Sequence, residues 1–351
     1  MRRILVTGGA GFIGSHICLL LLEKGFEVVV LDSFVNSSII SLNRVLSIIG
    51  KTKSRKINKL IIIKGDIRNK NDIRKVFERS IKEKQPIEAV IHLAGLKSVR
   101  ESFLKPFCYW DNNLIGSINL LNIMEKFNCR NIVFSSSATV YKNKLNEKLI
   151  EKDFCEPVNP YGETKLAVEK FLKDIYKSAP SEWRIASLRY FNPVGSHFSG
   201  LIGEDPLGDP NNLFPRITRV ASGKLEKLKI FGSDWSTPDG TGIRDYIHIM
   251  DLADGHFSVL NYLMKNKPQI ITLNLGTGQG TSVLQLIKIF EKVNNVFIPF
   301  IFEDRRNGDN AFVVADNSLA KLILKWSPKL NLENMCRDGW SWQLKNPKGY
   351  E

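Results

Sequence analysis

Short apolar runs alternate with longer helical patterns through the first half of this chain. Runs typical of strands lie at residues 4–7, 28–31, 60–63, 89–92 and 131–135. Patterns long enough for crossover helices lie at residues 13–24, 71–83 and 114–127. Strands that are apolar on both faces need helices on both sides of the sheet. The alternation therefore predicts an α/β fold, a Rossmann-like doubly wound parallel sheet.

The second half of the chain has a different texture. Prolines and glycines are frequent between residues 192 and 223, and strand-like runs return at residues 228–231 and 298–302. We therefore expect a smaller α/β lobe in the C-terminal part, interleaved with the sheet. The predicted division is residues 1–190 and 191–351, with some segments of the second domain returning to the first.

A glycine-rich turn follows the first predicted strand. Gly8, Gly11 and Gly14 have the spacing of a dinucleotide-binding turn. These glycines allow a tight turn, close approach of a pyrophosphate and helix-on-strand packing, and the helix N-terminus favours phosphate. Asp32 ends the second predicted strand, where a carboxylate accepts hydrogen bonds from a ribose and repels a 2′-phosphate. The pattern predicts NAD rather than NADP, with a purely structural turn as the alternative.

Tyr161 and Lys165 lie at the start of a predicted helix. Positions four apart share one helix face, so the phenol and the ammonium can converge. A neighbouring cation lowers the pKa of a tyrosine, which is otherwise about 10 and too high for a base at neutral pH. Taken alone, such a pair is more typical of a solvated helix face.

Three serines, Ser135 to Ser137, end a predicted strand at the same edge of the sheet as the glycine turn. A hydroxyl at this edge could bond a substrate oxygen while Tyr161 moves its proton. The alternative is a strand exit that only caps the next helix.

Composition argues against several classes of partner. The formal net charge is +14, but the basic residues are scattered apart from residues 51–56, and no nucleic-acid-binding motif accompanies them. The five cysteines are odd in number and far apart, which favours a reducing cytoplasm over a disulfide framework. Neither cysteines nor histidines form a metal-binding pattern, and no stretch predicts a signal peptide or a membrane span. We expect no metal, no nucleic acid and no membrane partner.

Blocks along nearly the whole chain resemble the extended short-chain dehydrogenase/reductases, and within them the branch that epimerises UDP-hexoses. The most specific blocks are residues 66–68, 92–97, 111–113, 135–141, 188–195 and 244–248. The resemblance implies that Ser137, Tyr161 and Lys165 form the catalytic set. It also implies that residues 1–190 bind NAD and residues 191–351 bind a UDP-sugar.

The same resemblance implies which residues line each ligand. For NAD they are, besides the catalytic set, Gly8, Gly11, Phe12, Ile13, Gly14, Asp32, Ser33, Phe34, Val35, Asn36, Ser37, Asp66, Ile67, Leu93, Ala94, Gly95, Leu96, Lys97, Asn112 and Phe191. For the UDP-hexose they are, besides Ser137 and Tyr161, Lys97, Asn192, Asn212, Leu213, Phe231, Arg244, Arg306, Asp309 and Val313. The two arginines suit a diphosphate, because each guanidinium can bond two phosphate oxygens.

The reaction that this resemblance implies is reversible C4 epimerisation of UDP-galactose and UDP-glucose through a 4-ketopyranose, with tightly bound NAD and no net redox change. Sister 4,6-dehydratases typically carry an Asp-Glu pair after the hydroxyl residue, whereas this chain has Ala138 and Thr139. Three alternatives stay open: a 4-epimerase of UDP-N-acetylhexosamines, another UDP-sugar-modifying enzyme, or a non-catalytic dinucleotide-binding protein.

Some positions depart from the family pattern or bear on specificity. A basic loop at residues 50–59 is longer than expected, and Lys142 stands where a glycine is usual. Val313 aligns with a position beside the sugar where a bulky tyrosine excludes N-acetylated hexoses, and valine is intermediate in size. By the resemblance we also expect a homodimer, through helices like residues 106–127 and 161–177.

Overall fold

The computed structural model describes residues 2–51, 59–142, 144, 146–208, 210, 212–306 and 308–351. Most of the basic loop at residues 50–59 lies outside this described part. Contacts divide the chain into two units. Unit 1 comprises Met1–Val140, Cys155–Arg189 and Ala253–Leu273, and unit 2 comprises Tyr141–Phe154, Tyr190–Leu252 and Asn274–Glu351.

The strands and helices are numbered in chain order. The strands are β1 (Arg3–Thr7), β2 (Glu27–Asp32), β3 (Leu60–Lys64), β4 (Ile87–His92), β5 (Asn131–Ser137), β6 (Arg184–Tyr190), β7 (Asn192–Val194), β8 (Leu228–Phe231), β9 (Ile243–His248), β10 (Gln269–Leu275), β11 (Gly280–Ser282), β12 (Phe300–Glu303) and β13 (Phe312–Val313). The α-helices are α1 (Phe12–Glu23), α2 (Ile39–Lys51), α3 (Lys70–Lys82), α4 (Val99–Leu104), α5 (Pro106–Tyr109), α6 (Gly116–Lys126), α7 (Pro160–Ser178), α8 (Leu213–Ala221), α9 (Ile249–Lys265), α10 (Val283–Asn294), α11 (Ser318–Leu324) and α12 (Leu332–Lys345).

A seven-stranded sheet has the order β10-β6-β5-β4-β1-β2-β3. Within this sheet, the neighbouring strands β5, β4, β1, β2 and β3 pair in parallel. Most of their residues are apolar, and β1, β2, β4 and β5 are almost entirely buried. Parallel strands need crossover connections, and helices that cover both faces of the sheet provide them here. The order and the parallel pairing confirm the predicted Rossmann-like doubly wound sheet.

Strand register brings the predicted site segments to one edge of this sheet. Thr7 pairs with Leu31 on one side and with His92 on the other, and His92 pairs with Phe134. The residues that follow this row are the glycine turn, Asp32, the segment after β4 and the serines that end β5. Ligands of doubly wound sheets bind outside this carboxyl edge.

Helix α7 begins at a strong start signal. The side chain of Asn159 accepts a hydrogen bond from the backbone N–H of Gly162 at 2.8 Å, and Pro160 occupies the first helical position. Val168 and Leu172 are buried in the apolar core cluster of unit 1, and Leu166 is also buried. The cap and this apolar face fix the first turn of α7, which carries Tyr161.

The run from α5 to α6 contains one wide turn. Residues Trp110–Ile115 form a π-helix between the two α-helices. Such turns interrupt the regular spacing of side chains and are frequent at functional sites. The wide turn carries the 111–113 block that resembles the family.

Unit 2 has its own sheets and core. Strands β11, β9 and β13 form a sheet in which β7 also pairs with β9, and β12 pairs with β8. A buried apolar cluster includes Phe214, Phe290 and Trp340, on α8, α10 and α12. This is the smaller α/β lobe that was predicted. Within the described ranges, no helix is both long and apolar enough to cross a membrane.

Candidate active site

The three glycines of the turn differ in what surrounds them. A Cβ at Gly8 would lie 2.7 Å from the backbone N of Ala94, and the φ of Gly8 is +69°. A Cβ at Gly14 would lie 2.3 Å from the Gly8 carbonyl oxygen. A Cβ at Gly11 would meet only that oxygen, at 3.4 Å. The protein's own packing therefore requires glycine at positions 8 and 14. It does not require glycine at position 11, where a close approach by a ligand would explain the missing side chain.

The N-terminus of α1 faces this space. Gly11 is its N-cap residue and supplies no side-chain hydrogen bond to the first turn. The first backbone N–H groups of a helix lack intrahelical partners and carry partial positive charge. An anion such as a pyrophosphate fits this helix end.

Asp32 is buried and fixed by three donors. Its carboxylate accepts hydrogen bonds from the backbone N–H of Ala10 at 2.9 Å and of Phe34 at 2.9 Å, and from the Ser37 hydroxyl at 2.8 Å. Phe34 has a φ of +59°, a left-handed conformation rare for a bulky residue. Asp32 therefore ties the glycine turn to the loop after β2.

The segment after β4 is held by an asparagine that was not among the predicted residues. Asn113, in the π-helix, accepts a hydrogen bond from the Leu96 N–H at 2.8 Å and donates to the Leu96 carbonyl at 3.1 Å. It also donates to the Thr164 hydroxyl on α7 at 3.0 Å. The predicted neighbour, Asn112, is half-buried. The family-like 111–113 block could have signalled both asparagines.

The other predicted cofactor residues lie as follows. Asp66 is paired with Arg68, whose Nη2 lies 2.6 Å from Oδ2, and this guanidinium lowers the pKa of the carboxyl. Ile67 is buried against Gly116. The half-buried residues are Phe12, Ile13, Ser33, Leu93, Ala94, Gly95 and Leu96, and the exposed ones are Val35, Asn36 and Lys97. Phe191 is buried in unit 2.

Ser137, Tyr161 and Lys165 come together in unit 1. The Ser137 hydroxyl lies near enough to the Tyr161 phenol to lower the pKa of that phenol. The Lys165 ammonium donates to the Ser135 carbonyl at 2.8 Å and lies 5.9 Å from the centroid of the Tyr161 ring. It also lies 5.0 Å from the ring centroid of Phe134. The end of β5 and the first turns of α7 thus bring together the Ser137 hydroxyl, the Tyr161 phenol and the buried Lys165 ammonium.

Burial has the largest effect on the pKa values of Lys165 and Tyr161. It lowers the pKa of Lys165 to about 8. It raises the pKa of Tyr161, against the opposing effect of the Ser137 hydroxyl. The direction of the Tyr161 pKa shift is therefore set by burial and is opposite to the lowering expected from the Lys165 cation. A phenol held beside a hydroxyl and an ammonium can exchange a proton with a bound alcohol.

Four of the residues predicted to bind the nucleotide sugar cluster in unit 2. The Arg306 guanidinium lies 4.4 Å from the ring centroid of Phe231, and its Nε lies 2.9 Å from Asp309 Oδ2. Burial lowers the pKa of the Arg244 guanidinium, and the carboxylate of Asp309 opposes this. Cations and a carboxylate around an aromatic face are suited to a nucleoside diphosphate.

The remaining predicted residues of this lobe lie on adjoining elements. Val313 pairs with Arg244 across β13 and β9. Asn192 pairs with Tyr246 across β7 and β9. Asn212 is the N-cap residue of α8, which begins at Leu213. Sheet pairing therefore places Val313 beside one of the two arginines.

Comparison with known proteins gives full-length matches. A family model described as GDP-mannose 4,6 dehydratase matches residues 5–339. UDP-glucose 4-epimerase 2 of Arabidopsis thaliana is 47% identical over 349 residues, 99% of this chain and 97% of that protein. The crystal structure of UDP-glucose 4-epimerase from Stenotrophomonas maltophila, with NAD and formylated UDP-arabinopyranose, has a TM-score of 0.93 and 44% identity and covers 99% of each chain. The Bifidobacterium longum enzyme with NAD+ and UDP has a TM-score of 0.91 and 44% identity, covering 99% of this chain and 100% of that one.

Proposed function

Because this chain belongs to the UDP-glucose 4-epimerase family within the extended short-chain dehydrogenase/reductases, we propose that it interconverts UDP-galactose and UDP-glucose. The observation that carries the proposal is the junction of Ser137, Tyr161 and Lys165 at the sheet edge that also holds the glycine turn. A non-catalytic dinucleotide-binding protein would not need a buried lysine beside a buried phenol.

The residues present fit NAD. Open space at Gly11, the uncapped N-terminus of α1 and the fixed Asp32 carboxylate match a pyrophosphate and a ribose. The chemistry that NAD supplies when bound is reversible hydride exchange at C4 of the sugar. The related enzymes from S. maltophila and B. longum were crystallised with this dinucleotide.

The protein groups move the proton. Tyr161 removes the proton of the 4-hydroxyl as C4 is oxidised and returns it when the 4-ketopyranose is reduced. Ser137 donates a hydrogen bond to the Tyr161 phenol oxygen while that oxygen carries negative charge, and Lys165 supplies positive charge nearby. The C4 hydrogen of a hexose is not acidic, so oxidation is needed before the centre can invert. After the ketosugar turns about its link to UDP, the same tyrosine serves the opposite face.

In unit 2, we assign UDP to the cluster around Phe231. Arg244 and Arg306 would hold the diphosphate, and Asp309, Asn212 and the face of Phe231 would hold the nucleoside. Strong anchoring of UDP with weaker contacts to the sugar permits the turn. The related B. longum enzyme was crystallised in complex with UDP, which supports UDP as the nucleotide of the ligand.

Val313 bears on the choice of sugar. It neighbours Arg244 in the sheet and is half-buried. Its intermediate size leads us to rank UDP-galactose and UDP-glucose as the main pair and to keep UDP-N-acetylhexosamines as slower substrates. Comparable turnover of both pairs would overturn this ranking.

The test uses the purified protein with UDP-galactose and no added NAD, following UDP-glucose by NMR. We expect conversion by the wild type and a loss of at least about a hundredfold in Tyr161→Phe. Tyr141→Phe is the matched control, because the Tyr141 hydroxyl bonds Asn274 within unit 2. No conversion even after NAD is added would refute the proposed reaction.

We further propose that the protein is a cytoplasmic homodimer. Leu104 and Phe107 are 74% and 89% exposed on α4 and α5, and Phe103 on α4 and Ile115 in the π-helix are about half exposed. Several exposed apolar side chains within one short stretch of the chain are typical of protein interfaces. All five cysteines lie in the described part and are free thiols, which suits a reducing compartment.

A further inference from the structure

Thr139 makes two hydrogen bonds to the Ser137 hydroxyl oxygen. Strand β5 ends at Ser137, and a single 3₁₀ turn over Ala138–Val140 follows. The backbone N–H of Thr139 donates to Ser137 Oγ at 3.2 Å, and the Thr139 hydroxyl donates to the same oxygen at 3.0 Å. A hydroxyl oxygen has two acceptor lone pairs and one proton. With both lone pairs taken by Thr139, the remaining capacity of Ser137 is to donate.

The partner for that proton is held in place by backbone packing. The Ser137 hydroxyl lies near the phenol of Tyr161 and lowers its pKa. The turn that carries Thr139 rests on the first turn of α7, since a Cβ at Gly162 would lie 2.6 Å from the Thr139 carbonyl oxygen. Gly162 directly follows Tyr161, so Ser137 and Tyr161 cannot move apart without opening this contact.

We propose that Thr139 is a positioning residue for the proposed epimerisation: its hydroxyl orients the Ser137 proton toward the phenol oxygen of Tyr161. The inference rests on the proposed function and adds a residue whose action passes through Ser137. Donation to Ser137 also polarises the Ser137 O–H, because linked hydrogen bonds strengthen one another. A donor aimed at the phenol oxygen stabilises the phenolate over the phenol.

Two other roles for Thr139 give different outcomes. If Ser137 Oγ only caps the 3₁₀ turn, the backbone N–H of Thr139 is sufficient and its hydroxyl is dispensable. If the Thr139 hydroxyl contacts the sugar instead, its removal raises KM without moving the ionisation of Tyr161.

The experiment separates these roles with three variants. Thr139→Val keeps the backbone N–H and the branched shape but lacks the hydroxyl. Thr139→Ala is a second variant without the hydroxyl, and Thr139→Ser keeps the hydroxyl. The pH profile of kcat/KM for UDP-galactose is measured for each. A second readout is the ultraviolet titration of Tyr161 in the purified protein, isolated from the eight tyrosines by subtracting the same variant with Tyr161→Phe.

In both variants without the hydroxyl, we expect the acid limb of the kcat/KM profile and the pKa of Tyr161 to rise by about one pH unit. A shift of this size corresponds to the free energy of about one hydrogen bond. On that limb kcat/KM falls about tenfold, because a higher pKa leaves less phenolate, and the difference vanishes at higher pH. Thr139→Ser should stay within about twofold of the wild type. Unshifted pH profiles of kcat/KM in both Thr139→Val and Thr139→Ala, or a change in KM alone, would refute the positioning role of Thr139. If the wild type does not convert UDP-galactose, the proposed function fails, while the titration of Tyr161 still decides whether Thr139 acts on it.

Discussion

Gly11→Ala and Gly14→Ala should damage different properties of the protein. At Gly11 the backbone has φ −71° and ψ 177°, which alanine adopts freely, and the added Cβ would meet only one oxygen at 3.4 Å. Reduced entropy of the unfolded chain stabilises by about 0.4–1 kcal/mol, and replacing glycine by alanine at an N-cap costs a similar amount. The free energy of unfolding should therefore change by less than about 1 kcal/mol.

At Gly14 the Cβ would lie 2.3 Å from the Gly8 oxygen and 2.6 Å from the Gly9 Cα, which are backbone atoms of the turn itself. Neither can move without opening the turn. Overpacking of this kind costs about 1–3 kcal/mol or more, and we expect at least about 2 kcal/mol. Gly14→Ala thus serves as the matched control, a methyl added three residues away whose main effect is on the fold.

The assay has two parts. Dinucleotide released by acid from each purified variant is measured against protein, and urea unfolding is followed on samples stripped of dinucleotide, because bound ligand itself adds stability. Gly11→Ala should retain less than about a tenth of the wild-type NAD yet unfold like the wild type, and Gly14→Ala should show a clear loss of stability. Full retention of NAD by Gly11→Ala would refute the assignment of the open space to the pyrophosphate.

Three further predictions concern the core, the sugar and the oligomer. Glu169→Gln removes the charge paired with buried Arg189, whose Nη2 lies 2.6 Å from Glu169 Oε2. Urea titration should show a free energy of unfolding lower by about 3–5 kcal/mol, and a loss below about 1 kcal/mol would contradict this. Val313→Tyr should reduce kcat/KM for UDP-N-acetylgalactosamine at least about tenfold while that for UDP-galactose changes less than about threefold, and equal effects on both would exclude steric selection. Phe107→Asp should shift the sedimentation coefficient from dimer to monomer, whereas Phe198→Asp, at a 77% exposed phenylalanine elsewhere, should not; a wild-type monomer would refute the proposed interface.

Local patterns were sufficient to predict much of this fold and site. The strand β8 at residues 228–231 was predicted with its observed bounds, because a short apolar run between turn residues has few alternatives. The glycine spacing and the separation of Tyr161 from Lys165 are also local, so the sequence carries them directly. The direction of the Tyr161 pKa shift is not local. It depends on how deeply the packed chain buries the phenol, which spacing along a helix does not specify.

The supporting residues needed the structure for a related reason. Asn113 and Glu169 act on segments 17 to 51 residues away, through Leu96, Thr164 and Ser136. In the sequence each is one polar residue in a helical stretch. A buried amide or carboxylate becomes identifiable only when its partners are known, because burial without partners would be costly.

These supporting contacts have a consequence for how inversion occurs. The first turns of α7 are fixed to the exit of β4 by Asn113, to the exit of β5 by Lys165 and Glu169, and to the following turn by the close approach of Gly162. Groups fixed on regular elements in this way present one face to a substrate. Tyr161 therefore cannot move to the other side of a sugar ring. If the chain inverts C4 as proposed, the ring must turn while the protein groups stay in place, so a substrate whose ring is prevented from turning should be oxidised but not epimerised.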